Sequence, residues 1–314
     1  MSQAILGTIV HKNLNWLQQN KVRIAAVCML LTLILTLVAP VAVSAGPQHR
    51  SRTNRNRQVT KTEVKESLAG TPGALETSDQ VSTSQDSDSA ARANVNGTVV
   101  DVPKDAKQGV TFGAENGPKL DIELPHADQA SEGDQVAPGV VAYEANNGSS
   151  NAVQATEDGG VRMLTIIDNP DAPTEYGYKV SIPDGGAVQL AADGGASVKG
   201  NAGEVISFVS APWASDAMGK AVQTWFTTDG STLTQHVMHN VPGIVYPVTA
   251  DPWFWNYLGC ILGIGVPVGA ALVIASYPAT WYGLVSASNN PRTQTNIGRY
   301  IGWVYTRCSR FIRS

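Results

Sequence analysis

The sequence has few charged residues and lacks the motifs of the common catalytic sites. Charged side chains make up 15% of its 314 residues, and glycine alone occurs 30 times. This composition is typical of a β-rich extracellular protein and argues against a helical cytosolic enzyme. The chain has no Gly-x-Ser-x-Gly turn, no glycine-rich phosphate loop, no His-Glu-x-x-His motif and no EF-hand spacing. We therefore expect no catalytic residue, no metal site and no cofactor.

One pair of closely spaced histidines, His236 and His239, does not change this expectation. Residues three apart in a strand face opposite sides of a sheet, so the two imidazoles could not share a metal ion without a bulge. No third ligand lies at a suitable spacing. We interpret both as ordinary surface or turn histidines. We interpret Trp213 as a residue of the core.

Acidic residues are missing from both ends of the chain. Residues 1–45 carry three basic side chains and no acid, whereas residues 96–252 carry seven basic and twenty acidic ones, a net of −13. Residues 253–314 contain no Asp or Glu and five arginines, Arg292, Arg299, Arg307, Arg310 and Arg313. Such segregation indicates an acidic body and a cationic tail. With a net charge of −4 overall, we expect no nucleic-acid partner.

The N-terminal segment has the pattern of a secretory signal peptide. Basic residues precede an apolar run over 24–39, Pro40 ends that run, and small residues at 43–45 fit the specificity of signal peptidase. This pattern predicts a signal helix over residues 1–45, export by the Sec pathway and cleavage after Ala45. The alternative is an uncleaved membrane anchor, because the run is close to the ~17 residues that span a bilayer.

Residues 46–95 have the composition of a linker. They are rich in Ser, Thr, Gln and Asp, and almost nothing in them could enter a core. We predict a flexible, disordered linker. The arginines at 50–57 could contact anionic envelope polymers or lipid headgroups, but we favour a simply solvated cluster.

From about Val95 onward, short apolar or alternating runs are separated by turns. The clearest runs lie at 99–102, 120–124, 140–143, 161–167, 176–182, 188–190, 205–209, 225–227 and 233–237. Asp-Gly pairs at 158–159, 184–185, 193–194 and 229–230 supply the turn chemistry of tight hairpins. No helical period competes with this pattern. We predict a mainly β fold, with an antiparallel β-sandwich or barrel-like domain over residues 96–252.

Three phrases in this region carry a resemblance. They are Asp168-Asn-Pro-Asp-Ala-Pro-Thr-Glu-Tyr176, Ala211-Pro-Trp-Ala-Ser-Asp-Ala-Met-Gly-Lys-Ala-Val222 and Tyr246-Pro-Val-Thr-Ala-Asp-Pro252. Over residues 95–260 the chain resembles a β domain of many secreted actinobacterial proteins, most of which lack an assigned function. Those proteins join the domain, at a Tyr-Pro-Val-x-x-Asp-Pro boundary, to a variable C-terminal segment that is often apolar and basic. The resemblance implies export and this architecture, and it carries no catalytic residues.

The C-terminal segment, residues 253–314, begins with a long uncharged stretch. No charged residue lies between Asp251 and Arg292, and residues 258–274 are apolar on all sides of a helix. The Gly259-x-x-x-Gly263 spacing favours close helix packing, and flanking aromatic residues suit a membrane interface. We expect this helix to contact lipid through Leu258, Ile261, Leu262, Ile264, Val268, Leu272 and Trp281.

The end of the segment is predicted to be a basic amphipathic helix. Its apolar face contains Ile297, Tyr300, Ile301, Val304, Cys308, Phe311 and Ile312. Its basic residues Arg299, Arg310 and Arg313 lie opposite, and Arg307 lies at the boundary. Such helices lie on anionic membranes, so we expect these four arginines to contact lipid. Alternatively, the helix docks on the core of the protein itself.

After removal of the signal peptide only Cys260 and Cys308 remain. Two thiols in an oxidising compartment usually pair, so we predict a disulfide between them. In one arrangement this bond closes an extracellular helical hairpin. In the other, residues 258–280 form a stop-transfer helix that leaves the arginines in the cytosol. The two exclude each other, because a cytosolic Cys308 could not pair with an extracellular Cys260.

Three functional hypotheses follow from these patterns. The first is an exported, non-enzymatic secreted or cell-envelope protein whose tail associates with membrane lipid or the envelope. The second is a bacteriocin-like membrane-active toxin, whose cationic tail the acidic domain would neutralise. The third is a secreted hydrolase, for which the sequence offers only abundant carboxylates.

Overall fold

The computed structural model describes residues 60–71, 81–95, 97–115, 117–157, 159–263 and Cys308. All of these belong to the second of two units into which the chain divides, residues 54–314. The predicted signal helix and cleavage site at Ala45 lie outside the described residues, as does nearly all of the predicted helical hairpin. Those expectations stay predictions.

Strands dominate the described part of the chain. In chain order they are β1 (Ser89–Val95), β2 (Thr98–Pro103), β3 (Val110–Ala114), β4 (Lys119–Glu123), β5 (Asp134–Ala137), β6 (Val140–Glu144), β7 (Ser149–Ala155), β8 (Gly160–Ile167), β9 (Glu175–Ser181), β10 (Gly186–Leu190), β11 (Ala196–Gly200), β12 (Val205–Val209), β13 (Trp213–Ser215), β14 (Thr224–Thr228), β15 (Thr232–Val237), β16 (Val248–Asp251) and β17 (Trp253–Trp255). Helix α1 (Lys61–Gly70) precedes them and α2 (Tyr257–Gly263) follows them. Two 3-10 turns lie at Ala106–Gln108 and Ala127–Gln129.

The strands form two antiparallel sheets. The first sheet has the order β1-β2-β3-β4-β9-β15-β14. The second has the order β10-β11-β12-β17-β8-β7-β6-β5, and β16 pairs with both β8 and β13. Neither sheet closes on itself within the described residues. The prediction of a mainly β, antiparallel fold is therefore confirmed, and its barrel-like variant is not what the strands form.

The two sheets enclose one shared apolar core. Alternate residues of β9 are buried, and among them Tyr176 and Tyr178 are fully buried side chains of the first sheet. Phe254 comes from the second sheet, and its ring centroid lies 6.4 Å from that of Tyr178. Burial of such rings supplies most of the free energy that holds two sheets together, at about 25 cal/mol per Å² of apolar surface.

Helix α1 helps to bury the outer face of the second sheet. All eight residues of β8 are buried, among them the polar residues Arg162 and Thr165. Val64 and Leu68 of α1, one helical turn apart, belong to one apolar cluster with Leu164 and Ile166 of β8, and the helix itself lies against β5 and β6. Thr60 begins the helix with a capping box.

This helix and strand β1 correct the prediction of a disordered linker for residues 61–70 and 89–95, whereas residues 46–59 and 72–80 lie outside the described residues. Residues 61–70 are helical and residues 89–95 form a paired strand. The polar composition of this region conceals the helix, because a short amphipathic helix can be stabilised by as few as two apolar residues when they pack on the face of a sheet.

The predicted turns are confirmed where the structure describes them. Asp184 and Gly185 have φ angles of 58° and 86°, and Gly194 and Gly230 have φ angles of 90° and 95°. Positive φ values are nearly free for glycine and tolerable for aspartate, so Asp-Gly pairs can reverse the chain within two residues.

Candidate functional site: the junction between the β domain and the C-terminal segment

The acidic β domain passes into the C-terminal segment through two short strands in the middle of the second sheet. Both β16 and β17 pair with β8, one on each side of Pro252. Proline has no N–H to donate, so a break in the ladder is expected here. The ladder is bridged instead by the Met163 N–H, which donates to the Pro252 carbonyl at 3.0 Å.

A buried ion pair lies beside this break. The Arg162 Nε donates to the Asp251 Oδ2 at 3.1 Å, and the two side chains are 8% and 1% exposed. The Arg162 guanidinium also lies 4.2 Å from the ring centroid of Trp253. Trp253 in turn stacks on Trp255 with centroids 3.9 Å apart. The guanidinium is thus held by a carboxylate and by an indole face, both of which attract a cation.

Burial changes the acidity of Asp251. Desolvation raises the pKa of this carboxyl group to about 6, against the opposing effects of Arg162 and of a hydrogen bond from Trp213. Desolvation penalises the charged carboxylate, whereas a neighbouring cation favours it. These opposing effects on the pKa are those expected of a buried structural ion pair. Strand pairing sets its partners in place, since Arg162 on β8 lies opposite Trp253 on β17.

Helix α2 begins directly after β17 and is fixed to the first sheet. Asn256 caps it, accepting from the Gly259 N–H at 2.8 Å through Oδ1. The Asn256 Nδ2 donates to the Thr98 Oγ1 at 3.1 Å. A Cβ atom at position 259 would collide with the Asn256 side-chain amide. Gly259, which suggested close packing of membrane helices, therefore has a local role in the helix cap.

The described part of the C-terminal segment is buried in protein rather than exposed. Leu258 is 1% exposed and Ile261 is 0% exposed, and both belong to the core shared by the two sheets. The ring of Tyr257 packs edge-on against Phe208, with centroids 5.0 Å apart. In this structure Leu258 and Ile261 face the protein core and not a lipid surface, because α2 packs between the sheets against β2, β3 and β12.

The predicted disulfide joins this buried helix to a residue close to the end of the chain. Cys260 and Cys308 are paired, with Cα atoms 5.9 Å apart. Cys308 is 0% exposed and lies in the same core as Ile261. The bond closes a loop between positions 48 apart in sequence. Both ends of that loop are therefore held at the β domain.

The remaining predicted lipid contacts stay predictions. Leu262 lies in the last turn of α2. The others lie outside the described residues: Ile264, Val268, Leu272, Trp281, Arg299, Arg307, Arg310 and Arg313. Within the described ranges, no helix is both long enough and apolar enough to cross a membrane.

The two histidines are separated as expected, but only one lies near the surface. His236 stacks on Trp225 with centroids 5.0 Å apart, and its Nδ1 lies 3.5 Å from a Glu175 carboxylate oxygen. His239 is instead fully buried, which corrects its assignment as a surface or turn residue. Its Nε2 lies 2.9 Å from the Pro173 carbonyl oxygen and its Nδ1 lies 3.0 Å from the Tyr246 hydroxyl.

The three segments that carry the resemblance, residues 168–176, 211–222 and 246–252, lie together around this junction. Pro173 of the first phrase contacts His239, which also contacts Tyr246 of the third. Trp213 of the second phrase lies opposite Asp251 of the third in the β13–β16 pair. Trp213 is partly buried against the small cluster under α1. Because these segments support one another, the phrases have a shared structural role at the end of the domain.

Burial of His239 predicts a pH dependence of stability. Burial lowers the pKa of His239 below its usual 6.5, although the hydrogen bond to Pro173 opposes this. The histidine therefore binds a proton more readily in the unfolded chain than in the folded one. The stability that neutral His239 contributes is consequently lost as the pH falls below 6.5. Between pH 7.5 and 5.5 we expect His239 to make the free energy of unfolding, measured with urea, fall by up to about 1.4 kcal/mol for each unit by which the pH is lowered.

His239→Asn should remove that slope, and His236→Asn is the matched control. The comparison is between slopes, since Asp251, whose pKa is raised to about 6, makes a contribution of the opposite sign. Equal slopes in the His239→Asn variant and the unaltered chain would contradict the prediction.

The junction contains no set of groups arranged for metal chemistry. In the residues that the structure describes, no three His, Cys, Asp or Glu side chains converge so as to hold a metal ion. Comparison of the chain with protein-family models, curated proteins and solved structures finds no match.

Proposed function

We propose that this is an exported, non-enzymatic protein of the cell envelope or its surroundings, whose β domain holds a membrane-associating C-terminal loop. The loop runs between Cys260 and Cys308 and contains no acidic residue. It joins a long uncharged stretch to arginines, which is the composition that partitions to anionic lipid surfaces. The observation that carries the proposal is the anchoring of both loop ends, Ile261 and Cys308, in the core.

The disulfide supports the hairpin arrangement over the stop-transfer arrangement. Cys308 packs with the core of the β domain, so Cys260 and Cys308 share one side of any membrane. A pair of bonded thiols also fits an oxidising, extracytoplasmic location. The buried loop ends give less support to the toxin hypothesis, because a released peptide would have to leave a packed core.

We expect the disulfide-intact protein to co-sediment with anionic vesicles and not with neutral ones. Each basic residue near an anionic surface contributes about 1 kcal/mol. Replacing Arg299, Arg307, Arg310 and Arg313 with glutamine should therefore weaken binding at least thirtyfold, by roughly 2 kcal/mol or more. The measurement is sedimentation with phosphatidylglycerol–phosphatidylcholine vesicles at low and high salt.

The control variant replaces four lysines of the β domain, Lys107, Lys179, Lys199 and Lys220, with glutamine. It removes the same charge from the acidic domain and should bind as the unaltered protein does. If both variants lose binding equally, general charge and not the loop is responsible. Leakage of a dye from the same vesicles would instead favour the toxin hypothesis.

A further inference from the structure

The outer face of the first sheet carries an exposed tryptophan whose ring is held in place. Of the aromatic side chains in the described residues, Trp225 alone is exposed, at 39%. Its indole lies nearly parallel to the imidazole of His236, with an interplanar angle of 4° and ring centroids 5.0 Å apart. Because the imidazole covers one face of the indole, the exposed area lies on the other face and on the rim.

Two neighbouring side chains fix the imidazole that supports the indole. The His236 Nε2 lies 2.8 Å from the Thr227 hydroxyl oxygen, and its Nδ1 lies 3.5 Å from a Glu175 carboxylate oxygen. Strand register places Trp225 opposite His236 and His236 opposite Glu175, so that the three form one row across β14, β15 and β9. A ring that is oriented in advance loses little side-chain freedom when a ligand covers it.

The next row on the same face is lower. Thr227, Thr234 and Gly177 lie opposite one another on the same three strands. Gly177 has no side chain, and its backbone does not have the positive φ that favours glycine. A Cβ atom at this position would meet only the side chains of Thr232 and Thr234, at 3.3 and 3.9 Å. The short side chains of this row leave open space beside the tryptophan.

A third row borders this space on its other side. Lys179 lies opposite both Thr232 and Glu123, and its Nζ lies 3.9 Å from a Glu123 carboxylate oxygen. The first and third rows are about 13 Å apart, because they are separated by four residues along each strand. The low row between them is thus the floor of a shallow furrow across the strands, which we call the Trp225 furrow.

The chemistry of the Trp225 furrow excludes several kinds of ligand. Its three rows contain no aliphatic residue, and they hold two carboxylates against one ammonium group. A protein partner would find no aliphatic side chain to pack against there. A polyanion or an anionic lipid surface would meet net negative charge. What the furrow offers is one aromatic face among hydroxyl and charged groups.

We propose that the Trp225 furrow binds an uncharged polysaccharide, one of whose sugar rings lies on the indole. The C–H bonds on the face of a sugar ring carry partial positive charge, which the negative face of an aromatic ring attracts. Sugar hydroxyls both donate and accept hydrogen bonds, as threonine hydroxyls do, while Glu175 accepts and Lys179 donates. A shallow furrow suits a segment of a polymer, whereas small ligands are bound in enclosed pockets.

This site is separate from the segment that we propose to contact lipid. Helix α2 packs against β2, β3 and β12, whereas the furrow lies mainly on β9, β15 and β14, at the other end of the first sheet. It also lies on the outer face, away from the core that contains Cys308. A protein held at a membrane by its disulfide-closed loop can therefore bind a polysaccharide at the same time. Neither activity depends on the other.

The test is electrophoresis of the whole, disulfide-intact protein in native gels that contain hydroxyethyl cellulose, galactomannan or dextran, all of them uncharged. We expect at least one polymer to retard the protein, and titration calorimetry with oligosaccharides of that polymer to show saturable binding. Trp225→Ala should weaken this binding at least tenfold. Met218→Ala, which removes a side chain of a residue that is 74% exposed and outside the furrow, should leave it unchanged.

A second pair of variants tests the floor of the furrow. Gly177→Gln places a side chain on the floor and should weaken binding at least fivefold. Ser181→Gln, on the same face of β9 beyond the third row, is the control and should have no effect. Urea unfolding shows whether each variant is folded.

The unaltered protein decides the proposal even where a variant fails to fold. If none of the three polymers retards it, or if polygalacturonate, a polyanion, retards it more than they do, the proposal is overturned. Binding that Trp225→Ala or Gly177→Gln leaves intact overturns it too. None of these results bears on vesicle binding, so the proposed function is tested separately.

Discussion

Replacing Asp251 with alanine is expected to lower the free energy of unfolding by about 3–5 kcal/mol, the cost of removing one partner of a buried ion pair. The Arg162 residue is 6% exposed, so its guanidinium would lose the carboxylate that compensates for its lost hydration. The measurement is urea unfolding at pH 7.5, followed by circular dichroism and tryptophan fluorescence. Trp253 lies on the guanidinium, so its share of the tryptophan fluorescence responds to this site.

Two control variants separate the ion pair from general effects of substitution. Arg162→Met combined with Asp251→Leu removes both charges and should recover at least half of the lost stability, since an apolar pair of similar size carries no desolvation cost. The exposed pair of Lys179 and Glu123, 3.9 Å apart, is the matched reference. Glu123→Gln should cost less than about 1 kcal/mol. An Asp251→Ala variant as stable as Glu123→Gln would show that the buried pair is not structural.

The strands that the sequence predicted show one of two patterns. Their apolar residues alternate with polar ones, as in β9, or form a short run next to an Asp-Gly turn, as in β8 and β10. Strand β7, Ser149–Ala155, was missed because its polar residues hide the signal although all seven residues are buried. Asn151, for example, donates to the Pro125 carbonyl at 2.8 Å. A buried polar strand becomes visible only once its partners are known.

Helix α1 had a signal that composition concealed. Thr60 and Glu63 form the Thr-x-x-Glu capping box, and Val64 and Leu68 lie four residues apart. A ten-residue helix is unstable alone and depends on the sheet face that it covers. Its sequence therefore indicates where a helix could start, but the helix forms only because it covers the outer face of the second sheet.

The junction could be predicted only in part. The cysteine pair followed from counting thiols in a chain that is predicted to be exported, whereas Arg162 and Asp251 are 89 residues apart and no local pattern connects them. Leu258 and Ile261 were assigned to lipid because an apolar helix looks the same whether it packs in a bilayer or in a protein core. Periodicity reports that a side chain avoids water and does not report which phase it enters.

Replacing both Cys260 and Cys308 with alanine is expected to lower the free energy of unfolding by about 4 kcal/mol. The bond closes a loop between positions 48 apart, and the chain entropy that this closure removes from the unfolded state corresponds to about this amount. Urea unfolding of the alanine variant, and of the unaltered protein with and without reductant, measures it. Reduction should have no further effect on the alanine variant.

The same pair of cysteines decides between the two arrangements of the C-terminal segment. Protein recovered from anionic vesicles or from cell envelopes should migrate on a non-reducing gel as a compact monomer, faster than the Cys308→Ser variant. A stop-transfer helix would leave Cys308 in a reducing compartment, and the two would then migrate alike. Since Cys308 is 0% exposed and packs with Ile261, we expect the bond to persist in the membrane-bound protein. Lipid would then be reached by the closed loop, while its two ends stay in the core of the β domain.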